Sequence, residues 1–280
     1  MEPTLEEITG VLELLIVPIF LIELVWLHRR GELTWPRVKE MLASASAFLF
    51  VIAGAVLTLA LWAALFGAIA AARSWAIPTT FWSAILAVVI ADLIYYWEHR
   101  FEHEKRLPWD LYHSVHHSSP NYDQTTSLRL GLFDGMLTTL FLTPMVIVGF
   151  SPSLTLIASG VVIGYQTWFH TEVIQKMPRW YEAVFNAPAH HRAHHGADDI
   201  YLDVNYGGIL IIWDRMFGTF QAEVQRPVYG LTTQIESSNP LDVQFSQLKL
   251  LWRDLKSDDS WRIRLRRLWE APGWTPQPAS

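Results

Sequence analysis

The sequence predicts an all-α integral membrane protein, with four to five membrane helices carrying a cytoplasmic, histidine-rich cap. Three observations predict it. Residues 43–72, 74–91 and 135–171 carry no charged side chain. The chain holds 14 Trp in 280 residues, and Trp favours the membrane–water interface. Of 11 histidines, all but His28 lie between His99 and His195. The composition agrees: 51% of residues are hydrophobic and 17% charged, against about 25% charged in soluble domains. A net charge of −6 leaves no basic surface for nucleic acid. The absence of cysteine removes disulfides, thiolate metal sites and cysteine nucleophiles.

The elements follow in order. Residues 8–27 read as a membrane helix interrupted by Glu13, Pro18 and Glu23. The run 43–72 exceeds the roughly 20 residues that span hydrocarbon. Such length argues against the core helix of a soluble domain. The run 74–91 continues as helix past Asp92 to Trp97 and beyond. The run 135–171 breaks at Phe150, Ser151, Pro152 and Ser153, so it reads as a hairpin of two helices of about eighteen residues each, barely long enough to span. The polar remainder contains Trp261, Leu265, Leu268 and Trp269 on one helical face, with Arg262, Arg264, Arg266 and Arg267 mostly off it. That pattern fits an interfacial helix on an anionic leaflet or a solvated helix packed on the protein body. The domain reading is 1–42 for an N-terminal helix and basic loop, 43–220 for a catalytic membrane domain and 221–280 for a C-terminal tail.

Glu2, Glu6 and Glu7 are acidic where a signal peptide is basic, so no cleavable leader is expected. Arg29, Arg30, Arg37 and Lys39 mark the first loop as cytoplasmic by the positive-inside rule. Counting spans from there places every histidine from His99 onward on the cytoplasmic side.

The histidines are patterned. His99 and His103 form H-x3-H. His113, His116 and His117 form H-x2-HH, and His191, His194 and His195 repeat it, with His190 just before. His170 closes the last apolar run. Residues three or four apart share a helix face, where two imidazoles can converge on one metal. In H-x2-HH the outer pair is i and i+4, while the i+3 imidazole is turned away slightly, so one box can feed two adjacent metals. Eight imidazoles plus His170 are too many for one tetrahedral zinc and suit two metals roughly 4–7 Å apart. Nitrogen ligation without sulfur suits zinc, copper, nickel or iron. The zincin pattern H-E-x-x-H is absent, and iron, whose pairs bind and split dioxygen, is the better fit. His190 points to another face, and His28 beside two arginines reads as a plain interfacial residue.

At these residues the chain resembles the fatty acid hydroxylase/sterol desaturase superfamily. The stretch from Asp92 to Arg100 is similar to that family's entry to its first box, and Asn205 to Thr219 to its stretch after the third. Within the superfamily the chain resembles the alkylglycerol monooxygenase branch, at His116 to Ser119, Trp168 to Ile174, Ala189 to Gly196, Val228 to Leu231 and Pro272 to Trp274. The resemblance covers roughly residues 57–220. It implies a membrane di-iron oxygenase that activates O₂ and abstracts hydrogen from an unactivated C–H bond of a lipid, giving hydroxylation or desaturation. It implies ligands at His99, His103, His113, His116, His117, His191, His194 and His195, with His170 at a further ligand position. Some members carry another histidine one turn earlier, where this chain has Gln166. That departure implies a weaker or water-filled position on one iron, or Gln166 near it through a water.

Supporting residues have competing readings. Asp92, two turns before His99, could orient a ligand imidazole or pair with an arginine. Glu104 could meet a cationic reductant, bond a ligand or face solvent. Asp203 and Asp214 could hold ligands, bind substrate headgroups or form surface ion pairs. Gly207 and Gly208 permit a tight turn or close packing. Tyr95, Tyr96 and Trp97 are interfacial anchors or walls of an acyl channel.

The expected substrate is a lipid with an ether-linked or plain alkyl chain, with a sterol, carotenoid or sphingolipid as the alternative. The branch implies tetrahydropterin as reductant; other branches draw electrons from cytochrome b5 or ferredoxin. No stretch resembles a cytochrome b5 domain, so a separate electron donor is expected. The host membrane is the endoplasmic reticulum in a eukaryote or the inner membrane in a bacterium. A membrane metal transporter would place its ligands near the bilayer midplane with carboxylates. A zinc hydrolase would work without oxygen or reductant, and a non-catalytic scaffold would not keep intact boxes.

Overall fold

The computed structural model describes residues 5–257 and 260–276. Glu2 lies outside them. Among the described residues the secondary structure is helical, with two isolated β-bridges, Phe185–Leu210 and Gly196–Tyr229, and no strand. Helix α1 is Leu5–Arg29 and contains Pro18. Helix α2 is Trp35–Ala72, 38 residues or about 57 Å at 1.5 Å per residue. It begins earlier than the uncharged run because Pro36 sits in its first turn, where a missing N–H costs nothing. Helix α3 is Phe81–Glu104. Thr80 and Ser83 form a reciprocal capping box that sets its start, after an extended link through Pro78. Helices α2 and α3 are both long and apolar enough to cross a membrane.

A broken helical stretch follows: α4 (Arg106–Pro108), a π-helical turn (Trp109–His113) and α5 (Ser114–His117). The apolar hairpin is α6 (Met136–Val148) and α7 (Pro152–Gln166). At 13 and 15 residues these are about 20 and 22 Å long, shorter than expected and less than the roughly 30 Å of hydrocarbon. Gly135, at φ 79°, delays the first helix, and Thr167–Phe169 tightens into a 3₁₀ turn after the second. Helices α8 (Arg179–Val184), α9 (Pro188–His194), α10 (Ile212–Phe217), α11 (Pro240–Leu255) and α12 (Trp261–Trp269) complete the chain.

The apolar core lies between α2, α3, α6 and α7: Phe66, Ala87, Ala91, Leu142, Met145, Phe150, Ala158 and Val162. Outward, Leu49, Val56, Phe81, Trp82 and Leu140 are exposed, as lipid-facing side chains are. Beyond the histidine end of α3 the character inverts, and most buried residues there are polar. This second layer is held by hydrogen bonds. Arg37 of α2 binds Asp123 at 3.1 Å, Glu23 of α1 accepts from the Gln124 amide and the Thr171 hydroxyl, and Gln244 of α11 bridges Leu130 and Leu132.

Candidate metal centre

The end of α3 contributes His99 and His103, one helical turn apart. The π turn and α5 contribute His113, His116 and His117. His170 follows the 3₁₀ turn after α7, and α9 with its C-cap contributes His191, His194 and His195. All nine are buried. They fall into two groups whose ligand nitrogens lie within 4.8 Å of one another: His99, His103, His113, His117 and His194; and His116, His170, His191 and His195. Each H-x2-HH box feeds both groups, the outer pair serving one and the i+3 residue the other. The groups touch, with the His117 ring stacked on that of His195 at 4.3 Å.

Backbone carbonyls fix the tautomers. The Nδ1–H of His99 donates to Tyr206 O at 2.9 Å, that of His170 to Gln166 O at 2.8 Å, that of His194 to Val204 O at 2.8 Å and that of His116 to Arg129 O at 3.3 Å. A carbonyl only accepts, so each of these rings keeps its lone pair on Nε2. His113 Nδ1 lies 3.0 Å from Glu102 Oε2, which does the same. The Nε2 atoms of His99, His117 and His194 are buried without a hydrogen-bond partner. Others face one another: His103 and His113 at 3.0 Å, His170 and His191 at 2.9 Å, His191 and His195 at 3.1 Å, His116 and His170 at 3.3 Å. Where both rings carry their proton on Nδ1, as in His116 and His170, the opposed lone pairs repel unless a cation sits between them. Two nitrogens each about 2.1 Å from one ion lie about 3.0–3.4 Å apart, which is the range of these contacts. Burial pushes His113 and His116 down to about 3. It also lowers His117, His170, His191, His194 and His195 well below the usual imidazole range. All are therefore neutral at pH 7, the form that binds metal. The donor set fits two cations.

His190 joins neither group. Its ring faces Phe220, and its backbone oxygen accepts from Asn205 Nδ2. His28 is exposed. Gln166 places only its backbone carbonyl against His170; its side chain accepts from the Tyr95 hydroxyl at 2.9 Å and donates to Val162 O.

The four carboxylates expected around the site separate. Asp92 meets neither an imidazole nor an arginine. It is buried in α3 and accepts from the amides of Ile209 and Leu210 and from the Trp213 indole at 2.6, 3.0 and 2.8 Å. Glu104 pairs with Arg100 at 2.7 Å and is partly exposed. Asp203 lies 3.6 Å from His103 Nδ1, an exposed carboxylate on a residue at φ 57°. Asp214 is fully buried and accepts from the Tyr206 and Gly207 amides and the Thr219 hydroxyl. A Cβ on Gly208 would lie 2.7 Å from Asp92 Oδ1 and 2.6 Å from Val162, so close packing is what that glycine provides.

Glu102 was not among the expected site residues. It touches His113, and Tyr112 donates to its other oxygen at 2.6 Å. Its only sequence signal is an acid one turn from Glu98 on a helix leaving the bilayer. Arg192, inside the third box, is also buried. It donates to the carbonyls of Thr171, Ile174 and Gln175 and pairs with Glu223 at 2.7 Å, tying the loop after His170 to α9. A cleft of about 550 Å³ opens on His103, His117 and His194, walled by Trp109, Leu231 and Leu250.

A helical scaffold that gathers nine buried imidazoles into two adjoining groups, each able to hold a metal ion, defines a histidine-box class of protein. Residues 84–219 match the family model described as fatty acid hydroxylase, so the chain carries a domain of that family over this stretch. Alkylglycerol monooxygenase of Homo sapiens is 38% identical over 202 residues, 72% of this chain and 44% of the relative. The Caenorhabditis elegans protein of that name is 34% identical over 214 residues, 70% of this chain and 40% of the relative. An ornithine lipid hydroxylase of Rhizobium tropici is 31% identical over 140 residues, 49% of this chain and 41% of the relative. The chain thus spans less than half the length of these curated relatives. No solved structure matches.

Proposed function

We propose that the chain is a membrane oxygenase that hydroxylates an unactivated C–H bond of a lipid at a two-iron centre. The observation that carries this reading is the division of nine Nε2-directed imidazoles into two adjoining groups. His99, His103, His113, His117 and His194 would hold one ion, and His116, His170, His191 and His195 the other. Two irons so held would supply the activation of dioxygen. The overall reaction takes the lipid C–H, O₂, two electrons and two protons to C–OH and water.

The protein's own part is positional. The carbonyls of Tyr206, Arg129, Gln166 and Val204 set the tautomers, and such outer partners are worth 10–100-fold in metal affinity. Burial excludes bulk water, and the cleft at His103, His117 and His194 admits a substrate or reductant to one group. Similarity to alkylglycerol monooxygenases favours an ether-linked alkyl lipid as substrate; a sterol, carotenoid or sphingolipid is the alternative. It favours tetrahydropterin as reductant, with electrons from cytochrome b5 or ferredoxin as the other source. Arg29, Arg30, Arg37 and Lys39 favour a cytoplasmic face for the centre, in the endoplasmic reticulum or a bacterial inner membrane.

The test is metal analysis and Mössbauer spectroscopy of anaerobically purified protein, then O₂ uptake with an alkylglycerol and a tetrahydropterin. Two irons per chain with a coupled ferric signal in air, and lipid-dependent uptake, support the reading. Iron-reconstituted protein that consumes no O₂ with any reductant overturns it and leaves a zinc hydrolase or a metal carrier.

A further inference from the structure

We propose that α12, with the adjoining end of α11, is a foot that rests in the surface of an anionic bilayer. At 100° per residue, Trp261, Leu265 and Trp269 form one stripe, and they are 66%, 49% and 54% exposed. The opposite face meets the protein: Ile263 is half-buried, and Arg267, 3.7 Å from Asp254, is turned inward. Trp261 therefore points away from the body, and Trp269 keeps about half of its surface exposed while its ring rests on Phe101. Arg262 and Arg266 flank the stripe on one side and Arg264 on the other; Arg266 also pairs with Glu270 at the helix's end at 2.7 Å, and Arg264 donates to Ser257 O at 2.7 Å. Such flanking is the arrangement in which cationic heads reach lipid phosphates while the rings enter the acyl boundary.

The foot stands at the right level. Trp269 packs on Phe101 at the end of α3, and Phe101 packs on Phe141 of the apolar hairpin, with ring centroids 6.2 and 5.7 Å apart. The Arg106 amide donates to Glu270 O at 2.9 Å, fixing the helix to the start of α4. On the other flank, Phe245 of α11 meets Phe50 of α2 edge-on at 6.2 Å, beside the exposed Leu49 and Ile52 of the apolar belt. Trp252 of α11 is 59% exposed and continues the surface. The stripe is thus continuous with side chains of the two helices able to cross a membrane. Leu250 of α11 and Pro272 after α12 wall the cleft over His103, His117 and His194, so the foot would hold the mouth of that cleft at the lipid surface.

The chain has no cysteine, so one introduced thiol takes a nitroxide label uniquely. Full-length protein carrying L265C, W261C or D199C would be placed in phosphatidylcholine nanodiscs with and without one-quarter phosphatidylglycerol. Labels at 265 and 261 should collide several-fold more with O₂ than with a water-soluble nickel chelate, and more so with phosphatidylglycerol; the label at 199 should read as aqueous. Labels at 265 and 261 that match 199 overturn the proposal. So does spin–spin broadening between copies, which would make the face a dimer contact. A depth indifferent to phosphatidylglycerol overturns the role given to the arginines. None of these readings depends on the metal centre or on enzymatic activity.

Discussion

The His113 imidazole is held by a side chain where its neighbours use backbone carbonyls, so it is the ring that mutation can release. Glu102 Oε2 lies 3.0 Å from Nδ1 while Tyr112 fixes the other oxygen. Glu102→Ala should weaken metal binding about 10–100-fold, read as lost metal occupancy against a competing chelator. Glu102→Gln keeps one oxygen acceptor and should fall between. Occupancy unchanged in both variants would mean that Glu102 merely fills space. Spacing made the histidine groups legible, because i, i+3 and i+4 geometry is local. Glu102 and the four carbonyls were not legible. Val204 and Tyr206 reach their histidines only through tertiary contact, the latter across 107 residues.

Among the elements, the loop from Asn205 to Trp213 is the least predictable and the most constrained. Asp92 accepts three hydrogen bonds from it, across 117 to 121 residues of sequence, and Gly208 seats against that carboxylate. Val204 and Tyr206, whose carbonyls hold His194 and His99, lie at the entry to the same stretch. Asp92→Ala would strand buried donors and should cost about 3 kcal/mol, seen as a lower unfolding temperature in detergent. Gly208→Ala must displace either Val162 or the Asp92 carboxylate and should also destabilise, with loss of metal in proportion. A fully stable Asp92→Ala protein would show that the loop is held from elsewhere. Arg192 clamps the other loop. Removing one partner of so buried a pair should cost about 3–5 kcal/mol, so Arg192→Ala should unfold well before Arg192→Lys. The runs of apolar residues announced α2, α3 and the hairpin, because burial in lipid leaves a compositional mark. Helix ends were less visible, since they depend on the Thr80 capping box, on Pro36 and on the left-handed Gly135.

At the scale of the whole molecule, two layers are stabilised by different forces. The helical layer owns an apolar core of ten buried residues, whereas the one other apolar cluster among the described residues is Ala43, Val115 and Val243. The centre of the cap is imidazole. Rings whose lone pairs oppose, as in His116 and His170, contribute no cohesion of their own, so the stability of this layer should follow any metal it binds. An ion present at a hundred times its dissociation constant adds about 2.7 kcal/mol to whatever binds it. Chelation should therefore loosen the cap and spare the membrane layer. Hydrogen exchange in nanodiscs would read this by segment. Amides of residues 106–117 and 188–206 should exchange faster once metal is stripped, while those of α6, α7 and the first half of α3 should hold their protection. Equal protection in every segment after complete removal of metal would mean that hydrogen bonds such as Arg37–Asp123 and Arg192–Glu223 suffice to hold the cap, and that the two histidine groups are preorganised before any ion arrives.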